Sequence, residues 1–422
     1  MKKIGIVGSI ILVILLGIYV VGSVYINKSY VYDNKEKVKG QQSLDNLSMM
    51  IETSSGSGEY QESKESSWPS DGYIFNSTLS KCENGGELSW DNTNKQVLFS
   101  GNKNDKCYVY FDVYVSAPTL AAYVKAQYTG TQGENNLYLH DSALTNGAKD
   151  GSYRYAGSSD TTNNFVCFGY DSTDGTCPTD YLYRIIGVFD DQVKLIKYDY
   201  AKASLLGTDG DYYNTYKNFE GSSTYGTNKG SNDKTEIGVY YWNYKADTSK
   251  YNNTWSNSLF NKINLNTNYL NNIGSTWSNK IATHTWKVGG NTLSNIRDAV
   301  ITTAYQNEIT NPATNTTYEA KVGLMYVSDY GYAAAPSAWT TKLVSYNSSS
   351  ITSVNWMYMG LYEWTIAPCT DNLARVFNVY ITGDVGYGDV RGNSASRPVL
   401  YLESSVAYAG GNGTQSSPYL IS

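Results

Sequence analysis

The chain has 422 residues, of which 41% are hydrophobic and 17% charged, so it is long enough for an anchor, a linker and two or three folded units. Its 32 basic and 38 acidic residues give a net charge of −6, which argues against a nucleic-acid partner because such partners usually require a basic face. Two histidines and five cysteines leave few metal ligands, so we expect neither a metal site nor a cofactor.

The first predicted element is an apolar, uncharged run from Ile4 to Ile26, which follows two lysines. Its roughly 23 residues exceed the ~20 that a helix needs to cross a bilayer. Positive charge before the run predicts that the N-terminus stays inside and the C-terminus lies outside. We therefore predict a signal anchor at residues 1–26 and a single-pass protein of the cell membrane with an extracellular C-terminal region. A cleaved signal peptide is the alternative.

Residues 27–70 are predicted to be a flexible linker, because their Ser, Gly and charge content buries too little apolar surface to offset chain entropy. The apolar stretch Leu47–Ile51 is an exception that can add a strand to the next unit. Residues 71–115 have the short β-forming runs and turn residues of a small β domain. So thin a core usually needs a covalent cross-link, which Cys82 and Cys107 are placed to supply.

Residues 116–160 are predicted to hold a connecting helix followed by a loop. Ser116 is a suitable cap for this helix, and Pro118 suits its first turn.

Residues 161–422 show no repeat of fixed period. Two β-forming runs flank Asp190-Asp191 and predict an antiparallel hairpin, and Lys321–Val327 reads as a further strand. Long polar loops separate these strands from a few short helices. The pattern predicts an α+β or mostly β domain.

The remaining cysteines lie in this region. Cys167 and Cys177 flank a flexible loop that can bring their sulfurs together, so we predict a second disulfide, although the sequence also allows other pairings. Cys369 is left over and is interpreted as a free, buried or half-buried thiol, with a reactive nucleophile or an intermolecular disulfide as alternatives. The stretch Asp171–Gly175 resembles the start of an EF-hand, but Leu182 occupies the position of the final glutamate, so we interpret it as a turn.

The segment Trp356–Thr365 has the order Gly-x-x-Glu-Trp-Thr and is followed downstream by an arginine strand. This order resembles the sulfatase-modifying (formylglycine-generating-enzyme-like) branch of the C-type lectin fold. The whole chain is similar to membrane-anchored bacterial surface proteins. The resemblance implies a C-type-lectin-like domain in which Glu363, Trp364 and Arg397 are structural. Enzymes of that branch rely on two cysteines near the C-terminus; this sequence has only Cys369 there, so no catalytic residue is carried over.

Related binding proteins of this fold display their ligand surface just before the last strand, which the resemblance places at Asp371–Ser396. Tyr and Arg in this segment supply contact area and forked hydrogen-bond donors, and its glycines let a loop bend. An ordinary solvated loop is the other interpretation. The predicted binding residues are Arg375, Asn378, Tyr380, Asp384, Tyr387, Asp389 and Arg391.

Taken together, the sequence predicts an α+β fold with an N-terminal transmembrane helix, a small β unit and a C-type-lectin-like domain. We expect a cell-surface-anchored ligand-binding protein of adhesin or lectin type. Its partners would be the membrane, through the N-terminal helix, and a glycan or surface-protein ligand. The alternatives are an exported enzyme acting on glycan or cell-wall substrate, and a structural component of the cell envelope.

Overall fold

The structure is a computed structural model that describes residues 47–65, 67–69, 72–101, 104–114, 117–172, 175–216, 225, 234–244 and 252–422. The chain divides into two units, Met1–Ser116 and Ala117–Ser422. The predicted anchor at residues 1–26 lies outside the described residues, as does the predicted linker up to residue 46.

The described residues form an α+β protein of many antiparallel strands and few, short helices. None of their helices is long and apolar enough to span a bilayer, and this finding contradicts both the transmembrane part of the predicted fold class and the predicted single-pass localisation. The physical reason is length. The longest helical stretch joins Phe260–Tyr269 to Leu270–Ile273, which is well short of the ~20 residues that a crossing requires.

The described residues of the first unit form seven strands. They are β1 (Leu47–Glu52), β2 (Tyr60–Glu62), β3 (Tyr73–Phe75), β4 (Lys81–Cys82), β5 (Glu87–Asp91), β6 (Gln96–Ser100) and β7 (Cys107–Val113). β7 is central: it pairs in parallel with β1 and antiparallel with β3 and β4, while β2 pairs with the other edge of β1. β5 and β6 form a separate hairpin.

This unit begins earlier in the chain than predicted. The strand expected at Leu47–Ile51 is confirmed as β1, but β1 and β2 together occupy residues 47–62 of the predicted linker. Pairing with β7 lets β1 bury Met49, which explains why this segment is ordered as a strand. The core is thin, and the predicted disulfide between Cys82 and Cys107 joins β4 to β7.

The second unit contains seventeen described strands and eight short α-helices. The strands are β8 (Leu137–Leu139), β9 (Tyr153–Tyr155), β10 (Phe165–Cys167), β11 (Leu182–Phe189), β12 (Gln192–Lys197), β13 (Tyr212–Thr215), β14 (Gly238–Tyr241), β15 (His284–Lys287), β16 (Thr317–Ala320), β17 (Val322–Gly323), β18 (Glu363–Pro368), β19 (Arg375–Val379), β20 (Val385–Asp389), β21 (Asn393–Ser394), β22 (Val399–Tyr401), β23 (Tyr408–Gly410) and β24 (Leu420–Ile421).

The α-helices are α1 (Leu120–Ala126), α2 (Ala203–Leu206), α3 (Leu270–Ile273), α4 (Ser275–Ser278), α5 (Leu293–Ile296), α6 (Ile301–Tyr305), α7 (Val327–Ala333) and α8 (Ser349–Thr352). Two π-helical segments are Phe260–Tyr269 and Gln306–Thr310. The 3₁₀ turns are Glu134–Asn136, Thr179–Tyr181, Trp255–Asn257, Pro336–Ala338 and Leu343–Ser345.

α1 confirms the predicted connecting helix but not its start. Thr119 is the N-cap, because its side-chain oxygen accepts a hydrogen bond from the backbone N–H of Ala122. Pro118 therefore precedes the cap instead of lying in the first turn. Ser116, the predicted cap, is outside the described residues.

The main sheet of the second unit has the order β17-β22-β12-β11-β9-β8, with β10 paired to β11. The predicted hairpin is confirmed as β11 and β12, and Asp190 takes the left-handed conformation (φ 52°) that a tight hairpin turn requires. The predicted disulfide between Cys167 and Cys177 is present. Thr173 and Asp174 of the predicted turn lie outside the described residues.

Two smaller sheets, β13-β14-β21 and β18-β19-β20, carry the residues of the candidate site. The predicted binding segment Asp371–Ser396 therefore contains three strands: β19 and β20 form an antiparallel hairpin, and β21 pairs with β14. This pairing satisfies backbone groups that a solvated loop would leave to water.

Candidate binding site

A buried ion pair lies at the start of β18. Arg397 donates from Nε to Oε1 of Glu363 (2.7 Å) and from Nη2 to Oε2 (2.8 Å), and Nη2 also donates to the carbonyl of Met357. Both side chains are almost completely buried. Burial raises the pKa of Glu363, and the facing guanidinium opposes that shift.

Trp364, the next residue on β18, is also buried, and its Nε1 donates to the carbonyl of Tyr240 (2.8 Å). The contacts of Glu363, Trp364 and Arg397 are thus those expected of structural residues. The Trp364 hydrogen bond fixes β18 against β14, the strand that pairs with β21.

An open pocket of about 390 Å³ lies over these strands. Half of its lining residues are aromatic, and its polar groups are two carboxamides, a serine hydroxyl and the tyrosine hydroxyls. The lining residues are Tyr216, Tyr362, Trp364, Asn378, Tyr380, Tyr387, Gly388, Gly392, Asn393 and Ser394. We call this the tyrosine pocket.

The register of the small sheet brings its central residues together. Asn378 on β19 lies directly opposite Trp364 on β18 and Gly386 on β20, so their positions share one face. Gly386 is needed there, because a Cβ at that position would lie only 2.0 Å from the Tyr380 ring. A Cβ on Gly388 would similarly lie 2.7 Å from the Trp364 ring.

The tyrosines are held in place by contacts within the sheet. The ring of Tyr380 meets that of Tyr362 edge-on, with 5.4 Å between centroids, and its hydroxyl donates to the carbonyl of Tyr387 (3.1 Å). The guanidinium of Arg375 lies 4.3 Å from the centroid of the Tyr387 ring. Tyr362 remains 40% exposed. The pocket therefore presents aromatic surface whose orientation is set before any ligand binds.

Asn378 is the polar residue that stands out in this pocket. It is only 4% exposed, yet its buried Oδ1 has no hydrogen-bond partner in the part of the chain that the structure describes. A buried carbonyl oxygen without a donor costs about 1–3 kcal/mol. A donor supplied by a ligand would remove that cost once a turn of the side chain exposes Oδ1, which is shielded from solvent in the structure.

The seven predicted binding residues separate into two groups. Asn378, Tyr380 and Tyr387 line the pocket, and Arg375 contacts it through the Tyr387 ring. The structure does not place the other three in the lining. Asp384 is buried and accepts a hydrogen bond from the Thr382 hydroxyl, whereas Asp389 and Arg391 pair with each other (2.8 Å).

The prediction missed Tyr216 and Tyr362, which lie outside the Asp371–Ser396 segment. Tyr362 carried a usable signal, because it is an aromatic residue immediately before the buried Glu363-Trp364 pair. Tyr216 follows β13, which reaches the pocket only through the pairing of β13 with β14. No local sequence pattern predicts that pairing.

Cys369 is a free and buried cysteine, as interpreted from the sequence. Its thiol donates to Oδ1 of Asp371 (2.8 Å), and burial together with this carboxylate raises the pKa of Cys369 to about 12. A nucleophilic cysteine needs the opposite shift, toward thiolate at neutral pH. These contacts therefore disfavour the reactive-nucleophile alternative.

Comparisons with protein-family models, curated proteins and solved structures found no match to this chain. The resemblance to the C-type lectin fold and to bacterial surface proteins accordingly stays a prediction.

Proposed function

We propose that the second unit is a ligand-binding module of lectin type and that the tyrosine pocket binds a neutral sugar of a glycan. The observation that carries this proposal is the buried, unpaired Oδ1 of Asn378 beside fixed tyrosine rings. An oxygen in that position selects a ligand that donates a hydrogen bond.

The composition of the lining supports a polar but uncharged ligand. Tyrosine rings offer flat apolar area with a polar tip, which suits the mixed C–H and O–H surface of a sugar ring. The carboxamide of Asn393 and the hydroxyl of Ser394 add further hydrogen-bonding groups at the same pocket. A few placed polar groups within an aromatic wall are typical of small-molecule sites.

The charged residues near the pocket are already engaged. Arg375 lies against the Tyr387 ring, and Arg391 forms a two-point contact with Asp389. These interactions hold the edge of β20, so we assign the charges to shaping the pocket and the tyrosines and Asn378 to binding.

The test is a glycan-array screen of the full chain, followed by titration of the best glycan against wild type and three variants. Tyr387→Ala removes a ring of the wall, and Asn378→Ala removes the unpaired oxygen. Tyr114→Ala is the matched control, because this tyrosine belongs to the first unit and is 51% exposed. We expect each pocket variant to weaken binding about tenfold or more and the control to leave it unchanged. Equal affinity for wild type and both pocket variants, or no glycan bound, would refute the assignment.

A further inference from the structure

A second cavity, of about 290 Å³, lies beside the ends of β11 and β12. Phe168, Leu205 and Ile273 supply an apolar wall, and Tyr183 of β11 contributes a further ring. The volume is near the lower end of cavities that hold small organic molecules. We call this the lysine cavity, because Lys197 also lines it.

Lys197 is the last residue of β12 and lies opposite Tyr183 in the sheet. The side chain is 2% exposed, and the nearby carboxylates of Asp199 and Asp180 act on its ammonium group through their charge, without a hydrogen bond to it among the described residues. Burial lowers the pKa of Lys197, as expected for a charge removed from water. A buried ammonium without a counter-ion is unfavourable, so this position calls for an explanation.

The acidic groups near Lys197 are engaged elsewhere. Oδ1 of Asp199 accepts hydrogen bonds from the Tyr225 hydroxyl (2.6 Å) and the Tyr200 backbone N–H (2.7 Å). Asp180, which also lines the cavity, pairs with Lys202 at 2.9 Å. Neither carboxylate lies within ion-pair distance of Lys197, whose charge is left facing the cavity.

We propose that the lysine cavity binds a small monocarboxylate with an apolar body, and that the Lys197 ammonium is its counter-ion. The carboxylate would supply the missing partner, and the apolar part of the ligand would pack against Phe168, Leu205 and Ile273. A pair formed with so deeply buried a lysine is less screened by solvent than the same pair at the protein surface.

The first measurement uses only wild-type full chain. Phenylacetate and its uncharged analogue phenylacetamide have nearly the same shape, so isothermal titration of both at pH 7 isolates the contribution of the charge. We expect phenylacetate to bind with one-to-one stoichiometry and phenylacetamide to bind about tenfold more weakly or worse. Equal binding of the two, or no binding of phenylacetate, would overturn the proposal.

The second measurement tests the residue. Lys197→Met keeps a long side chain and removes the charge, whereas the control Lys262→Met removes an exposed lysine outside the cavity lining. We expect Lys197→Met to abolish the preference for acid over amide and Lys262→Met to retain it. Near-UV circular dichroism confirms folding of each variant. If folded Lys197→Met still prefers the acid over the amide, another group binds the carboxylate and the proposal is wrong.

Discussion

Two lysines on β12, three positions apart, have equally buried side chains and opposite surroundings. Lys194 donates to Oδ2 of Asp329 (2.6 Å) and lies 4.4 Å from the centroid of the Tyr326 ring, with Arg154 on the other carboxylate oxygen at 4.0 Å. Lys197 faces the lysine cavity and has no such partner among the described residues. Burial alone therefore does not distinguish a structural charge from a binding group; the presence of a partner does.

The same distinction separates two buried asparagines of the second unit. Asn253 donates from Nδ2 to the carbonyls of Cys369 (2.8 Å) and Arg375 (2.6 Å), and so ties the chain before the Trp255 turn to the β18–β19 region. Asn378 leaves Oδ1 without a donor at the tyrosine pocket. We infer that the paired groups hold the fold and that the unpaired ones are available to ligands.

The largest expected effect comes from exchanging each lysine for methionine. Lys194→Met should lower the free energy of unfolding by about 3–5 kcal/mol, because it removes the closest cation of the buried Asp329 and leaves it Arg154 at 4.0 Å and the Tyr326 backbone N–H. Lys197→Met should leave that free energy unchanged or raise it by about 1 kcal/mol, because it removes an unpaired charge. Urea denaturation of both variants measures the difference. Equal losses of unfolding free energy would show that the two lysines do not differ in their contribution to stability.

Whether a contact could be predicted from the sequence depends on how far apart its two residues lie along the chain. Alternating apolar residues around Asp190-Asp191 identify the β11–β12 hairpin, because its contacts are local. The partner of Lys194 lies 135 residues away, and nothing near either residue marks the pairing. Asn378, Tyr380 and Tyr387 could be proposed because they share one short segment, whereas Tyr216 reaches the pocket through another sheet.

One predicted strand shows how a tertiary contact overrides local propensity. Lys321–Val327 has the composition of a strand, but β17 ends at Gly323 and α7 begins at Val327. Glu308 accepts the backbone N–H groups of Val327 and Ser328, both at 2.8 Å, and thereby satisfies donors that the first turn of a helix leaves free. A carboxylate so far along the chain cannot be assigned to that helix from sequence.

Glu308 extends the comparison, because it is a buried carboxyl group held by the backbone N–H groups of Val327 and Ser328 and by the Ser328 side chain instead of by a cation. Burial raises its pKa to about 7, although these hydrogen bonds oppose the shift. Between pH 4.5 and 7 the folded protein then retains a proton that the unfolded chain has released. Stability should therefore fall as pH rises through this window, by about 3 kcal/mol for a shift of this size.

The measurement is the free energy of unfolding of wild type and Glu308→Gln from pH 4.5 to 8. His284, whose pKa burial lowers to about 4, contributes with the opposite sign, since its stabilisation is lost as pH falls below 6.5. The difference between wild type and the variant cancels that contribution, because both proteins retain His284. A difference that does not change with pH would show that Glu308 titrates normally.

The smallest expected effect concerns the two asparagines, replaced by leucine in the absence of any glycan. Asn253→Leu should lower the free energy of unfolding by about 1–3 kcal/mol, because it leaves buried carbonyls without their donor. Asn378→Leu should leave it unchanged or raise it, by at most about 1–3 kcal/mol, because it removes an oxygen that has no described hydrogen bond to lose. Chemical denaturation of both variants measures these changes in the free energy of unfolding. A loss at position 378 as large as that at 253 would make Asn378 a structural residue and remove the observation on which the tyrosine pocket is assigned a ligand.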